Sequence, residues 1–138
     1  MGEIIRNFCD IIGYHFNNNT YLEEALTHSS AAGSISDNDR LEFLGDRVLG
    51  LIIADRLLGD FPEAETGELA RRYNRLVRSE SLVTVAEKIS IGLYLKLSSS
   101  EEGAGGRTKP AILADSCEAL IAALYLDGGM IAAKEFIE

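Results

Sequence analysis

The chain has 138 residues, of which 46% are hydrophobic and 25% charged, a composition typical of one soluble globular domain with its own core. Its 22 acidic and 13 basic residues give a formal net charge of −9, which argues against a protein that grips nucleic acid by its overall field. No uninterrupted apolar run approaches the ~18 residues of a membrane span, and acids stand where a secretory signal has bases, so we expect a cytoplasmic protein without membrane contact.

Apolar periodicity is helical along nearly the whole chain and predicts an all-α fold. The first helix should end near Gly13, because glycine favours a helix stop. A short helix follows, with Thr20 as the predicted N-cap and Glu23 completing a capping box. Cys9 and Cys117 lie in apolar helical segments without the spacing of a disulfide framework, so we expect reduced, buried thiols.

The middle of the chain predicts three helices and two loops. Residues 29–38 predict a loop, and a long helix should run from about Arg40 to Leu58. A further helix is expected from about Glu68 to Arg78, and another should begin near Ser79. The polar, glycine-rich stretch at 98–110 predicts a loop of the kind that carries function.

The last part of the chain predicts an apolar helix from about Ala111 to Leu126. The sequence Asp-Gly-Gly at 127–129 predicts a stop, and a last helical segment follows it. Because the helical pattern still continues at Glu138, we expect the natural chain to extend further.

Two carboxylates interrupt one apolar stripe of the long helix. Glu42 and Asp46 fall about 40° apart when residues are projected at about 100° each. Large and small residues alternate on the other side, at Phe43, Gly50 and Ala54. This second face predicts close approach by another helix or another subunit.

Asp115 and Glu118 are the only charges between Ala111 and Leu126, and they lie about 60° apart on the helix. Each pair of acids has an ordinary explanation. Asp39 and Glu42 could form a capping box, and Asp115 and Glu118 could be the solvated edge of a surface helix. Four converging carboxylates, however, would repel one another unless a cation lay among them. Oxygen ligands suit Mg²⁺ or Mn²⁺, and such clusters serve phosphodiester hydrolysis.

These motifs resemble those of the ribonuclease III family. "DRLEFLGDRVLG" resembles the family signature, "LADSCEALIAALYLDGG" its second acidic motif, and "ALTHSS" and "GGRTKPAILAD" its flanking segments. The resemblance implies an all-α endonuclease domain over residues 1–138 that cleaves double-stranded RNA as a homodimer. It implies products with 5′-phosphate and 3′-hydroxyl ends and two-nucleotide 3′ overhangs, in the processing of ribosomal and messenger RNA precursors. Most bacterial members append a double-stranded RNA-binding domain, which we do not find in this sequence.

The resemblance also implies roles for individual residues. Glu42, Asp46, Asp115 and Glu118 match the family's metal-site acids, with Asp46 bound directly or through water and with Asp46 and Glu118 as catalytic residues. Asp39 matches an acid at the edge of the site, and Phe43 matches an aromatic that packs into the partner subunit. The implied cofactor is Mg²⁺, for which Mn²⁺ should substitute.

Candidate RNA contacts come from two basic segments. Arg71, Arg75 and Arg78 share one face of a predicted helix, where they could contact the RNA backbone or partner the many acids of this chain. Arg107 and Lys109 lie in the glycine-rich segment before the second acidic motif, where they could contact phosphate or remain solvated.

Three positions leave questions open. Arg47 stands where many family members have serine, and Thr66 where many have glutamate, so the role of that acid is in doubt here. His28 is expected to be structural, with hydrogen bonds near the site.

Two rival functions are a non-catalytic helical dimerisation module, against which the retained acids argue, and an all-helical nucleotide pyrophosphohydrolase, which the motif order does not favour.

Overall fold

Periodic apolar patterns fold into helices as predicted. The computed structural model describes residues 2–31 and 37–137, and within them β pairing is confined to an isolated parallel bridge between Thr27 and Lys96. Within the described ranges, short 3₁₀ turns span Ser29–Ala31, Ile91–Tyr94 and Gly106–Thr108. The α-helices are α1 (Gly2–Ile12), α2 (Asn19–Ala25), α3 (Asp39–Asp60), α4 (Thr66–Val77), α5 (Ser79–Lys88), α6 (Ser99–Gly103) and α7 (Pro110–Ile137).

The most apolar helix, α7, lies at the centre and packs against α2, α3 and α5. Leu120, Ile121 and Leu124 are fully buried in it. By length and composition α7 could cross a membrane, but 56% of its apolar window is buried inside the protein, which is the pattern of a core helix. Cys9 and Cys117 are free and buried as predicted, and burial raises the pKa of the Cys117 thiol to about 12.

Small side chains let α2 and α3 come close to α7. Ala25 of α2 and Leu41 of α3 form a buried cluster with Ala119, Ala122 and Ala123 of α7. These alanines border the predicted acids of α7. The buried cluster therefore fixes the part of α7 that carries those acids.

The predicted helices are confirmed, and their ends lie within two residues of the expected positions except at the C-terminal end of α7, which continues past Leu126 to Ile137 across a kink. Two local predictions are wrong. The N-cap of α2 is Asn18, whose side chain accepts a hydrogen bond from the Thr20 N–H at 3.0 Å. The predicted loop at 98–110 contains α6 and a 3₁₀ turn, because the Ser98 hydroxyl caps the Glu101 N–H at 3.0 Å. Of the predicted loop at 29–38, residues 32–36 lie outside the described ranges.

A carboxylate near the end of the core helix ties it to the N-terminal part of the chain. Asp127 accepts hydrogen bonds from the Tyr14 hydroxyl at 2.6 Å and from the N–H groups of Asn17 and Asn18 at 2.9 and 2.8 Å. The helix then kinks at Gly129, whose φ of 75° is readily adopted only by glycine. The predicted stop at 127–129 is therefore confirmed as this kink.

Candidate metal centre

Two helices bring three carboxylates together. Glu42 lies in the first turn of α3, and Asp115 and Glu118 lie one helical turn apart on α7. One carboxylate oxygen from each residue lies within 4.8 Å of the others, and all three side chains are partly buried. The structure thus assembles three of the four predicted acids into one cluster.

Gly45 makes this assembly possible. A Cβ atom at this position would lie 1.7 Å from the backbone oxygen of Glu118, so only glycine lets α3 approach α7 here. The sequence analysis missed this residue. The signal was a glycine inside a long helix, which costs about 1 kcal/mol relative to alanine and points to a close backbone approach.

Asp46, the fourth predicted acid, lies at the rim of the cluster. It accepts a hydrogen bond from Glu118 and pairs with Arg47, and its side chain is 47% exposed. Asp39 is exposed at the first position of α3, close enough for its charge to raise the pKa of both Glu42 and Asp115. Asp39 therefore lies at the edge of the site, where the family resemblance places it.

Burial and mutual repulsion raise the pKa values of the three clustered carboxyls, Glu42, Asp115 and Glu118. Burial, then the charge of Asp115 and a hydrogen bond with it, raise the pKa of Glu42 from 4.5 to about 7. Burial, then the hydrogen bond to Asp46, raise the pKa of Glu118 from 4.5 to about 8. Burial also raises the pKa of Asp115, although the bond from Glu42 opposes this rise.

The donor set fits a divalent cation. Near neutral pH the protons on Glu42 and Glu118 relieve repulsion that a cation could relieve instead, so a bound ion would exchange with them. Carboxylate oxygens are hard ligands, which fit Mg²⁺ or Mn²⁺ better than Zn²⁺. Ion binding to this cluster should therefore strengthen as the pH rises.

His28 is held in place beside the cluster. Its ring Nδ1 lies 2.8 Å from the Ser30 hydroxyl, which accepts a hydrogen bond from the Ser98 N–H at 3.1 Å. Its backbone N–H donates to Lys96 at 3.0 Å. These contacts are typical of a structural residue, and the structural role of His28 stays a prediction.

The basic residues of the glycine-rich segment are engaged within the chain. Arg107 donates to Glu102 at 2.9 Å and to two backbone carbonyls at 3.0 and 2.8 Å. Lys109 pairs with Glu101 at 2.5 Å. Both residues therefore have partners within the chain, and RNA contact by Arg107 and Lys109 stays a prediction.

The basic residues of α4 are more accessible. Arg71 and Arg75 are exposed, and Arg78 pairs with Glu80 at 3.3 Å with both side chains mostly exposed. Exposed pairs of this kind contribute at most about 1 kcal/mol, so RNA could replace Glu80 as the partner. RNA contact by these three arginines stays a prediction.

The second face of α3 is only partly open. A Cβ on Gly50 would lie 2.6 Å from the Tyr73 hydroxyl of α4, so the predicted close approach at Gly50 occurs within the chain. Phe43 remains 64% exposed, and the Arg47 guanidinium carbon lies 4.7 Å from the centroid of its ring. Phe43 and Ala54 are therefore the positions of this face that stay open to a partner.

Comparison with known proteins agrees with this geometry. A family model described as ribonuclease-III-like matches residues 18–138. The chain is 52% identical over 134 residues to ribonuclease 3 of Dinoroseobacter shibae, and 48% identical over 134 residues to that of Legionella pneumophila subsp. pneumophila. Each alignment covers 96% of this chain and 58% of the relative, so the chain spans less than two thirds of their length.

Solved structures give the same likeness. Two structures of the nuclease domain of ribonuclease III from Campylobacter jejuni superpose with TM-scores of 0.91 and 0.90 at 36% identity. Both alignments cover 96% of this chain, with 92% and 89% of the respective nuclease domains. The first of those domains is described as structurally flexible in a region involved in dimer formation.

Proposed function

The chain belongs to the ribonuclease-III-like family, and from this membership we propose that it is a metal-dependent endoribonuclease that hydrolyses double-stranded RNA. Residues 1–138 serve as the nuclease domain, in the cytoplasm, and act on ribosomal and messenger RNA precursors. The products carry 5′-phosphate and 3′-hydroxyl ends with two-nucleotide 3′ overhangs. The observation that carries this proposal is the cluster of three carboxylates within 4.8 Å.

Each acid has a defined task in this reaction. Glu42, Asp115 and Glu118 hold Mg²⁺, or Mn²⁺ in its place, through carboxylate oxygens that lose their protons when the ion enters. Asp46 completes the site through its contact with Glu118, and Asp39 adds negative charge at the edge. When bound, the divalent ion polarises the scissile phosphate and lowers the pKa of a bound water. Gly45 keeps the two helices close enough for one ion to be shared.

A second copy of the chain is the proposed partner at the Phe43 face. Phe43 lies beside a groove of about 660 Å³ between α2, α3 and α7. In a two-fold dimer the same patch faces itself, so the ring of each copy can enter the groove of the other. Other large apolar side chains of α3 and α7 are also more than 40% exposed: Leu51, Leu58, Leu126 and Ile131.

The acidic balance of the chain sets the expected mode of RNA binding. With a net charge of −9, the RNA backbone must be held by local contacts. The divalent ion provides one such contact, and Arg71 and Arg75 of α4, with Arg78 just after it, provide another. Because few phosphates are neutralised, binding should be weak, and its decrease with salt should be shallow.

Cleavage of a long RNA duplex tests the proposal. At about 50 mM salt and with Mg²⁺, the chain should cut duplex RNA into short fragments with the ends given above. The Glu118→Gln variant should lose about 100-fold in rate, because a neutral amide oxygen is a weaker ligand for a divalent ion than a charged carboxylate. The Glu87→Gln variant is the matched control, since Glu87 is an exposed acid on α5.

The outcomes separate the rival functions. Duplex RNA left intact by the unsubstituted chain at low salt, or cleaved equally well by Glu118→Gln, would contradict the nuclease proposal. Hydrolysis of deoxynucleoside triphosphates in place of RNA would favour a nucleotide pyrophosphohydrolase. Dimer formation without any hydrolysis would favour a dimerisation module.

A further inference from the structure

Arg47 places a positive charge on the rim of the acidic cluster. Its Nη1 contacts Oδ2 of Asp46, and Asp46 in turn accepts a hydrogen bond from Glu118. The Arg47 and Asp46 side chains are 64% and 47% exposed, and an ion pair that is so accessible to water is weak. Asp46 is thus held by a partner that a more strongly bound cation can displace.

The ring of Phe43 holds the Arg47 guanidinium near the cluster. The guanidinium carbon lies 4.7 Å from the ring centroid, within the range of a cation–π contact. A planar guanidinium can stack on a ring and donate to a carboxylate at the same time. Arg47 is therefore fixed from two sides, by Phe43 and by Asp46.

A divalent ion and Arg47 compete for the same acid. An ion bound to Glu42, Asp115 and Glu118 would lie close to Asp46, and the charge of Arg47 would repel it. With no ion bound, the same charge offsets the negative charge of Asp46 at the rim of the cluster. Arg47 should thus stabilise the ion-free protein and weaken ion binding.

We propose that Arg47 is an internal counter-ion that sets the divalent-ion affinity of this site. Arg47 pairs with Asp46 when no ion is bound, and this ion pair breaks when a divalent ion binds. The inference deepens the proposed function and rests on it, because it assumes that the three-carboxylate cluster binds a divalent ion. It assigns a role to the arginine at a position where many members of the family have serine.

Titration of Mn²⁺ into the full chain, with free Mn²⁺ measured by electron paramagnetic resonance, tests this role. The Arg47→Ser variant should bind Mn²⁺ about three- to tenfold more tightly at low salt. Its melting temperature without Mn²⁺ should be lower than that of the unsubstituted chain. The Arg47→Lys variant, which keeps the charge, should stay within about twofold of the unsubstituted chain.

Arg56→Ser is the matched control. Arg56 lies further along α3 and pairs with Asp60 at 2.8 Å, with its side chain 52% exposed. The substitution removes the same charge from the same helix, so Mn²⁺ affinity should change by less than about twofold. The difference between the two serine variants should shrink at about 0.5 M salt, where exposed charges are screened.

The possible results separate this inference from the proposed function. If neither the unsubstituted chain nor Arg47→Ser binds Mn²⁺, the metal site itself is wrong and the inference falls with it. If both bind Mn²⁺, but Arg47→Ser is no tighter than Arg56→Ser, the counter-ion role alone is wrong. Tighter binding by Arg47→Ser than by Arg56→Ser, together with a lower melting temperature without Mn²⁺, supports the inference.

Discussion

Replacing Glu118 with glutamine should stabilise the metal-free protein at about pH 8, although it should remove metal binding. Burial, the hydrogen bond to Asp46 and the surrounding carboxylates raise the pKa of Glu118 from 4.5 to about 8. The folded state therefore favours the protonated, neutral form of this side chain. Glutamine is neutral at every pH, has nearly the same shape and can still donate a hydrogen bond to Asp46.

The size and the pH range of the effect follow from this pKa. Below about pH 4.5 Glu118 is protonated in both states and has no effect on stability. As the pH rises from 4.5 to about 8, the unfolded chain loses this proton first, so the free energy of unfolding falls. At about 1.4 kcal/mol per pKa unit, this rise gives an upper bound of about 5 kcal/mol. Screening by solvent reduces the effect to on the order of 2 kcal/mol.

Thermal unfolding without divalent ions measures the difference. At about pH 8 the melting temperature of Glu118→Gln should exceed that of the unsubstituted chain by about 5–8 °C. The gap should shrink as the pH falls and close at about pH 4, below the unfolded-state pKa of 4.5, where the carboxyl is protonated in both states. The exposed control Glu87→Gln should show no such gap at either pH. Equal melting curves for Glu118→Gln and the unsubstituted chain at pH 8, or a gap that widens towards acid, would refute the reasoning.

Three further predictions concern the same two helices. Mn²⁺ binding at about pH 7 should release one to two protons. Calorimetry measures this release, because the heat of binding then depends on the ionisation enthalpy of the buffer. A heat of binding that is independent of the buffer would mean that the carboxyls are already ionised. Gly45→Ala should destabilise the protein by on the order of 3 kcal/mol in denaturant and weaken Mn²⁺ binding at least about tenfold, because its Cβ would clash with Glu118. Gly59→Ala, with open space around it on the same helix, should be neutral or stabilising by up to about 1 kcal/mol. Phe43→Ala should shift sedimentation towards the monomer, whereas Leu93→Ala, which removes a leucine that is 74% exposed elsewhere, should not.

Most helices could be predicted because their apolar residues recur at a helical period over several turns. The short helix α6 has no such period. It depends on the Ser98 cap and on Gly106, where a Cβ would lie 2.7 Å from the Glu101 side chain. The N-cap of α2 was misplaced because Asn18 and Thr20 are both good caps, and only backbone geometry decides between them.

The acids of the site could be predicted by spacing and resemblance, but their arrangement could not. Whether the acidic stripes of α3 and α7 meet depends on how closely the helices approach, which Gly45 determines through a tertiary contact. The pairing of Asp46 with Arg47 was also beyond sequence reasoning, since adjacent residues on a helix do not normally face each other.

The metal centre depends on the burial of the helix that carries half of it. Glu118 lies two residues before Leu120 on α7. Leu120, Ile121 and Leu124 are fully buried. Each such side chain contributes about 1.5–3 kcal/mol through burial, so the three together exceed the penalty of on the order of 2 kcal/mol that Glu118 imposes at pH 8. The apolar core can thus hold repelling carboxylates together before any ion arrives. A cluster held in this way binds an ion without first having to be assembled. Because the ion binds only the folded state, its binding should add to the stability of the fold.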